Sequence, residues 1–89
     1  MRESVIQKAV VDYAKSNGWM VRRFVSRGMP DRVFFKGAKT LFIEFKAPGQ
    51  QPRPDQVIQI NNLKKEGFEV HVVDNIETGK ALFDLFRSP

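Results

Sequence analysis

Residues 31–46, DRVFFKGAKTLFIEFK, constrain this chain more than any other stretch. Two runs rich in Val, Ile and Phe flank Gly37-Ala38, and a glycine opening a two-residue loop suits a type II′ hairpin turn. The reading is therefore two antiparallel strands, 31–36 and 39–46. With Lys36 paired to Lys39, partner numbers sum to 75 and Asp31 falls opposite Glu44. Residues so paired have Cβ atoms roughly 4.5–5.5 Å apart on one face, and like charges placed there are destabilising. A shared divalent cation is the natural offset, because hard cations prefer carboxylate oxygens. Lys46 is two residues past Glu44 and points to the same face. An ammonium there can orient a water, help to deprotonate it, or stabilise developing negative charge. Glu44 also interrupts an apolar run, where a carboxylate is costly unless paired or bound to metal.

The rest of the chain supplies a frame for this hairpin. Residues 3–17 carry Ile6, Ala9, Val10, Tyr13 and Ala14 at helical spacing, with Gly18 as a stop. Ser4 and Gln7 are placed to form a capping box. Residues 19–25 read as a strand, and Ser26 to Pro30 as a loop closed by a residue without an N–H. After the proline-rich APGQQPRP, Pro54 suits the first turn of a second helix and Asp55 its positive end. Val57, Ile60 and Leu63 form that helix's expected apolar stripe. Residues 68–73 are a fourth strand, and Asn75 caps a last helix carrying Ile76, Leu82, Phe83 and Phe86. The expected class is α/β, a small mixed sheet flanked by helices in the order αβββαβα, built as one domain over residues 1–89.

Charge narrows the class of partner. The net charge is +5 and the pI about 9.9. Between Trp19 and Pro54 lie eight basic residues, among them Arg22, Arg23, Arg27, Arg32 and Arg53, and the only acids are Asp31 and Glu44. A polyanion, nucleic acid first, is the expected partner. The five arginines read as phosphate contacts or as a solvated basic face. No apolar run approaches the ~20 residues of a membrane span, and no secretory signal is expected. The chain has no cysteine, which excludes disulfides and thiolate metal sites and fits a reducing compartment. Trp19 reads as core. His71 has no expected ligand neighbours and reads as structural.

The order P-D, hairpin, E-x-K resembles the PD-(D/E)-x-K nuclease superfamily. Within it the chain is similar to the VRR-NUC family of phage and DNA-repair nucleases. The likeness runs through nearly the whole chain: an early Glu in the first helix, GMPD, IEFKAPG, a Gln opening the next helix, and GFEVHVVD. It implies a restriction-endonuclease-like core and a metal-dependent DNA endonuclease using Mg²⁺ or Mn²⁺. It also implies a homodimer, and branched DNA such as four-way junctions as a substrate. The expected setting is the cytoplasm of a bacterial or phage-infected cell, or another reducing intracellular compartment. Residue by residue, it makes Asp31, Glu44 and the Phe45 carbonyl metal ligands and Lys46 the catalytic lysine, with Glu3 and Gln56 as further site residues. Spacing places Glu3 on the sheet-facing side of its helix with Ile6 and Val10, and Gln56 on the stripe with Ile60 and Leu63; the alternatives are a helix N-terminal acid for Glu3 and a solvated first-turn residue for Gln56. Family members often cap the second helix with Ser or Thr, whereas this chain has Arg53-Pro54-Asp55. Two readings stand beside the nuclease: a non-catalytic basic nucleic-acid-binding module, and a subunit that needs a partner protein.

Overall fold

The computed structural model describes residues 1–85. Its elements are α1 (Glu3–Ser16), β1 (Met20–Arg23), β2 (Arg32–Lys36), β3 (Lys39–Phe45), α2 (Pro54–Lys65), β4 (Glu69–Val73) and α3 (Ile76–Asp84). The expected order αβββαβα is the observed one. Phe86, expected on the last helix, lies outside the described residues.

The hairpin carries the expected register. Lys36 faces Lys39 and Arg32 faces Ile43, and Gly37 supplies φ +60°. No non-glycine residue among those described has positive φ, so Ala38 keeps the negative φ of a type II′ second position. The sheet runs β1-β2-β3-β4. Strands β1, β2 and β3 are antiparallel neighbours. Strand β4 adds parallel to β3, which requires the crossover that α2 provides.

Period-2 alternation divides the core between the two faces. On one face, Val21, Phe34, Leu41, Ile43, Phe45 and Val73 pack with Ile6, Val10, Val11 and Ala14 of α1 and Phe83 of α3. On the other, Val33, Phe42 and Val70 meet Ile60 of α2. Trp19 is buried in the first cluster, edge-on to Phe83 at 5.2 Å between ring centroids. Helix α3 approaches α1 and β4 at Gly79, where a Cβ would stand 2.5 Å from Val10 Cγ2 and 3.0 Å from Val73 Cγ1.

Several local expectations are corrected. No capping box forms at Ser4 and Gln7. Helix α1 is capped at Arg2 without a side-chain bond, and Gln7 Oε1 instead accepts from Arg32 Nε at 2.8 Å. The first strand is shorter than residues 19–25. Its partner β2 starts only at Arg32, after Pro30, and the Trp19 N–H is used by Ala14 to close α1. Asp31 lies just before its strand and Lys46 just after. Phe68 also precedes its strand, because its N–H bonds Leu63 at the end of α2. In α2 the buried face is Gln56 and Ile60, with Leu63 half-buried, at i, i+4, i+7. Val57 is rotated off this stripe and is 42% exposed. His71 does have an acidic neighbour: Glu69, two residues back on the same face, lies 2.9 Å from its Nε2. Asn75 caps α3 as expected, accepting from the Thr78 N–H at 2.8 Å.

Candidate active site

Four element ends meet at one edge of the molecule. Glu3 opens α1, Asp31 precedes β2, Glu44 is one residue from the end of β3, and Gln56 sits in the first turn of α2. Carboxylate oxygens of Glu3, Asp31 and Glu44 all lie within 4.8 Å of one another. The antiparallel ladder stops at Arg32 and Ile43, so Asp31 stands one step beyond it. There its Oδ2 accepts from the Phe45 N–H at 2.8 Å. An extended residue directs its N–H and C=O toward the same neighbour, so the Phe45 carbonyl is on the Asp31 side of β3. The Lys46 N–H points the other way and bonds Val73 at 2.9 Å.

Glu44 is almost wholly enclosed, at 1% exposure. Its Oε2 accepts from Gln56 Nε2 at 2.8 Å and pairs with Lys46 Nζ at 3.1 Å. Its Oε1 is buried and has no hydrogen-bond partner. Burial pushes the Glu44 carboxyl above its ordinary range, and the nearby Asp31 and Glu3 charges push the same way. Lys46 works against them. A buried carboxylate with a vacant oxygen, crowded by two more acids, is unstable unless positive charge is supplied. Three carboxylates and a backbone carbonyl are hard oxygen donors, so the residues present fit a Mg²⁺ or Mn²⁺ ion. The Lys46–Glu44 pair is buried, so it is not an exposed surface salt bridge.

Gln56 is locked from both ends. While its Nε2 donates to Glu44, its Oε1 accepts from the Arg53 N–H at 2.9 Å. That second bond satisfies a backbone group at the start of α2, where Pro54 brings no N–H of its own. The absence of a capping Ser or Thr therefore leaves the site intact.

The arginines do not form one patch. Arg22 and Arg23 alternate across β1, and Arg22 lies on the α2 face of the sheet. Arg53 and Arg27 are on the α2 side too, both near Asp55, at 3.2 and 3.9 Å. Arg23 and Arg32 line a groove with Lys8 and Lys15 of α1 on the opposite face. Lys8 and Lys15 escape notice in the sequence because they lie outside the basic central stretch. Their spacing of seven, which places both on one helical face, is the signal that finds them.

Phe24 also gained no role from sequence. It directly follows β1, lies over Phe42 at 6.1 Å between ring centroids and is 37% exposed. It lines a cavity that reaches Asp31 and Gln56.

Comparison with known proteins gives matches in both sequence and fold. The family model of the VRR-NUC domain matches residues 5–75. The protein recorded as "Putative nuclease p44" of Acyrthosiphon pisum secondary endosymbiont phage 1 is 36% identical over 86 residues, covering 92% of each chain. Two solved structures share the fold. A "VRR_NUC domain" superposes with a TM-score of 0.84 at 23% identity, over 96% of this chain and 97% of that one. A "VRR_NUC domain protein" superposes with a TM-score of 0.78 at 22% identity, over 94% and 86%.

Proposed function

The chain belongs to the VRR-NUC family of nucleases, and from that premise we propose a divalent-metal-dependent endonuclease that hydrolyses phosphodiester bonds in DNA. The observation that carries the proposal is the convergence of Glu3, Asp31 and Glu44 around a buried carboxylate oxygen with no partner. In this reading Asp31, Glu44 and the Phe45 carbonyl hold Mg²⁺ or Mn²⁺, with Glu3 at the open side. When bound, the ion supplies Lewis-acid polarisation of the phosphate and lowers the pKa of a nucleophilic water.

The chain's own groups do the rest. Lys46 keeps an ammonium 3.1 Å from Glu44 Oε2, where it orients the attacking water and stabilises charge developing on the phosphate. Gln56 fixes the Glu44 rotamer by its 2.8 Å bond, so one oxygen is held and the other stays available. The Phe45 N–H does the same for Asp31. Arg22, Arg27 and Arg53 on the α2 side, and Arg23 and Arg32 on the α1 side, are placed to take phosphates. Cationic surfaces on both sides of the acidic edge suit DNA whose arms diverge, which supports branched substrates. The proposal includes a homodimer, in which two sites related by a two-fold axis cut two strands.

The test is cleavage of labelled linear and four-way DNA by the purified protein, with and without Mg²⁺ or Mn²⁺. Cleavage that requires the ion and is abolished by Glu44→Gln and by Lys46→Ala is expected. Glu44→Gln should lose ion binding, whereas Lys46→Ala should keep it, because lysine is a helper and not a ligand. Metal-free DNA binding should survive both. A parent that binds DNA but never cuts it indicates the binding module or the partner-dependent subunit instead.

A further inference from the structure

Beside the acidic site lies a second concavity that the cleavage chemistry leaves unused. It has a volume of about 400 Å³, and Phe24, Arg27, Gly28, Asp31, Arg53 and Gln56 are among the residues that line it. That volume is within the ~300–1,000 Å³ range of ligand pockets. Two of its walls, Asp31 and Gln56, belong to the site just described, so a group seated in it would be immediately next to the phosphate held there.

The walls differ in chemistry. Phe24 offers a ring, backed by Phe42 and still partly open to solvent. Arg27 and Arg53 stand at the rim, 3.9 and 3.2 Å from Asp55, and Asp31 is the acid among the lining residues, so the two guanidiniums offset the carboxylates and are the groups that can meet a phosphate. Arg27 is 94% exposed at its side chain, so it is free to move to an anion. The loop that carries Arg27 approaches α2 closely at its next residue. Gly28 has φ +79°, and a Cβ there would lie 3.1 Å from the Asp55 carbonyl oxygen and 3.2 Å from Gln59 Cγ. The pocket lies between this loop and α2. An aromatic face, a cationic rim and a polar floor are what a single unpaired nucleotide requires: a surface for its base and a charge for its phosphate.

We propose that this pocket receives an unpaired nucleotide adjacent to the scissile phosphate, its base stacked on Phe24 and its backbone held by Arg27 and Arg53. The inference rests on the nuclease reading for the position of the scissile phosphate. It adds that the substrate must present at least one unstacked base beside the cut. A base paired within a duplex is stacked on both faces and cannot reach Phe24.

The experiment is equilibrium binding in EDTA, by fluorescence anisotropy, of a blunt duplex and of the same duplex with a short single-stranded tail. The parent should prefer the tailed DNA by about tenfold, the scale of one base–aromatic stack. Phe24→Leu keeps apolar bulk and removes the ring. It should reduce the preference to near one while leaving blunt-duplex affinity unchanged. Phe24→Tyr should retain the preference. Thermal melts of each variant confirm that the fold persists. Equal affinity of the parent for the two DNAs, a preference retained by Phe24→Leu, or one lost by Phe24→Tyr overturns the subsite. Cleavage by the parent with Mg²⁺ is scored separately. Cutting without tail preference removes the subsite alone, and tail preference without cutting removes the nuclease reading alone.

Discussion

Glu44 concentrates the cost and the purpose of the fold in one side chain. Its carboxyl is raised by burial first and by Asp31 second, so in the metal-free protein it keeps a proton that the unfolded chain has already released. The sign follows from linkage: the folded state binds more protons between the ordinary and the raised value. Stability from this group is full below the ordinary carboxyl range and declines as pH rises through the raised value. Urea midpoints measured in EDTA should therefore fall as pH increases from the acid side through Glu44's titration, and Glu44→Gln should flatten that fall. Adding Mg²⁺ at neutral pH should raise the parent's midpoint and leave that of Glu44→Gln nearly unchanged, because only the folded parent binds the ion. Gln56 has a different task. It acts through Glu44, as an outer partner that orients a ligand, and such partners are worth about 10–100-fold in metal affinity or activity. Gln56→Ala should raise the Mg²⁺ concentration needed for half-maximal cleavage by that order, and it should also lower the melting temperature in EDTA, because the Arg53 N–H loses its partner. A purely structural Gln56 would lower the melting temperature and leave the Mg²⁺ requirement of the folded protein unchanged.

At the scale of elements, the hairpin was legible because its turn chemistry and its alternation agree. Gly37, at φ +60°, takes the first position of the two-residue turn, and that turn sets every partner down to Arg32 and Ile43. The approach of the Asp31 and Glu44 carboxylates was legible for the same reason, although the ladder itself ends one pair short of them, at Arg32 and Ile43. The α2 stripe was legible in part: Gln56 belongs to it with Ile60 and Leu63, as expected, whereas Val57, counted among its apolar members, lies off it. Two hydrogen bonds satisfy the Gln56 side chain inside, which an apolar count alone does not detect. The Phe24 pocket was illegible, since it needs the loop before β2 to lie against α2, a contact between segments distant in sequence. The contact of α3 with α1 and β4 was hidden too, and it makes a prediction. Alanine is favoured over glycine in a helix by about 1 kcal/mol. At position 79, however, its Cβ would lie 2.5 Å from Val10 Cγ2, and overpacking of that kind costs about 1–3 kcal/mol. Gly79→Ala should therefore lower the unfolding free energy. The double variant Gly79→Ala with Val10→Ala should lose less than the sum of the two single losses, as neighbours that share one space do.

For the whole molecule, the dominant quantity is a net charge of +5 arranged around an acidic notch. DNA affinity should fall steeply with salt, each neutralised phosphate contributing about 0.9 to the log–log slope on duplex DNA. Because the sheet separates the arginines, removal of Arg22 and Arg53 together should take about two such units from the slope, and removal of Arg23 and Arg32 should reveal whether the α1 side carries DNA as well. An unchanged slope for either pair marks that side as solvated. Such comparisons need a way to tell a damaged surface from a damaged fold, and the burial of Trp19 against Phe83 provides it. The chain has one tryptophan, and it sits on the sheet face opposite Glu44 and Phe24, at the joint between α1, the sheet and α3. Its emission should be blue-shifted in the native protein and unmoved by ligands at the acidic edge, and should shift red only when α3 leaves the core. Any site variant can therefore be certified by the colour of one indole.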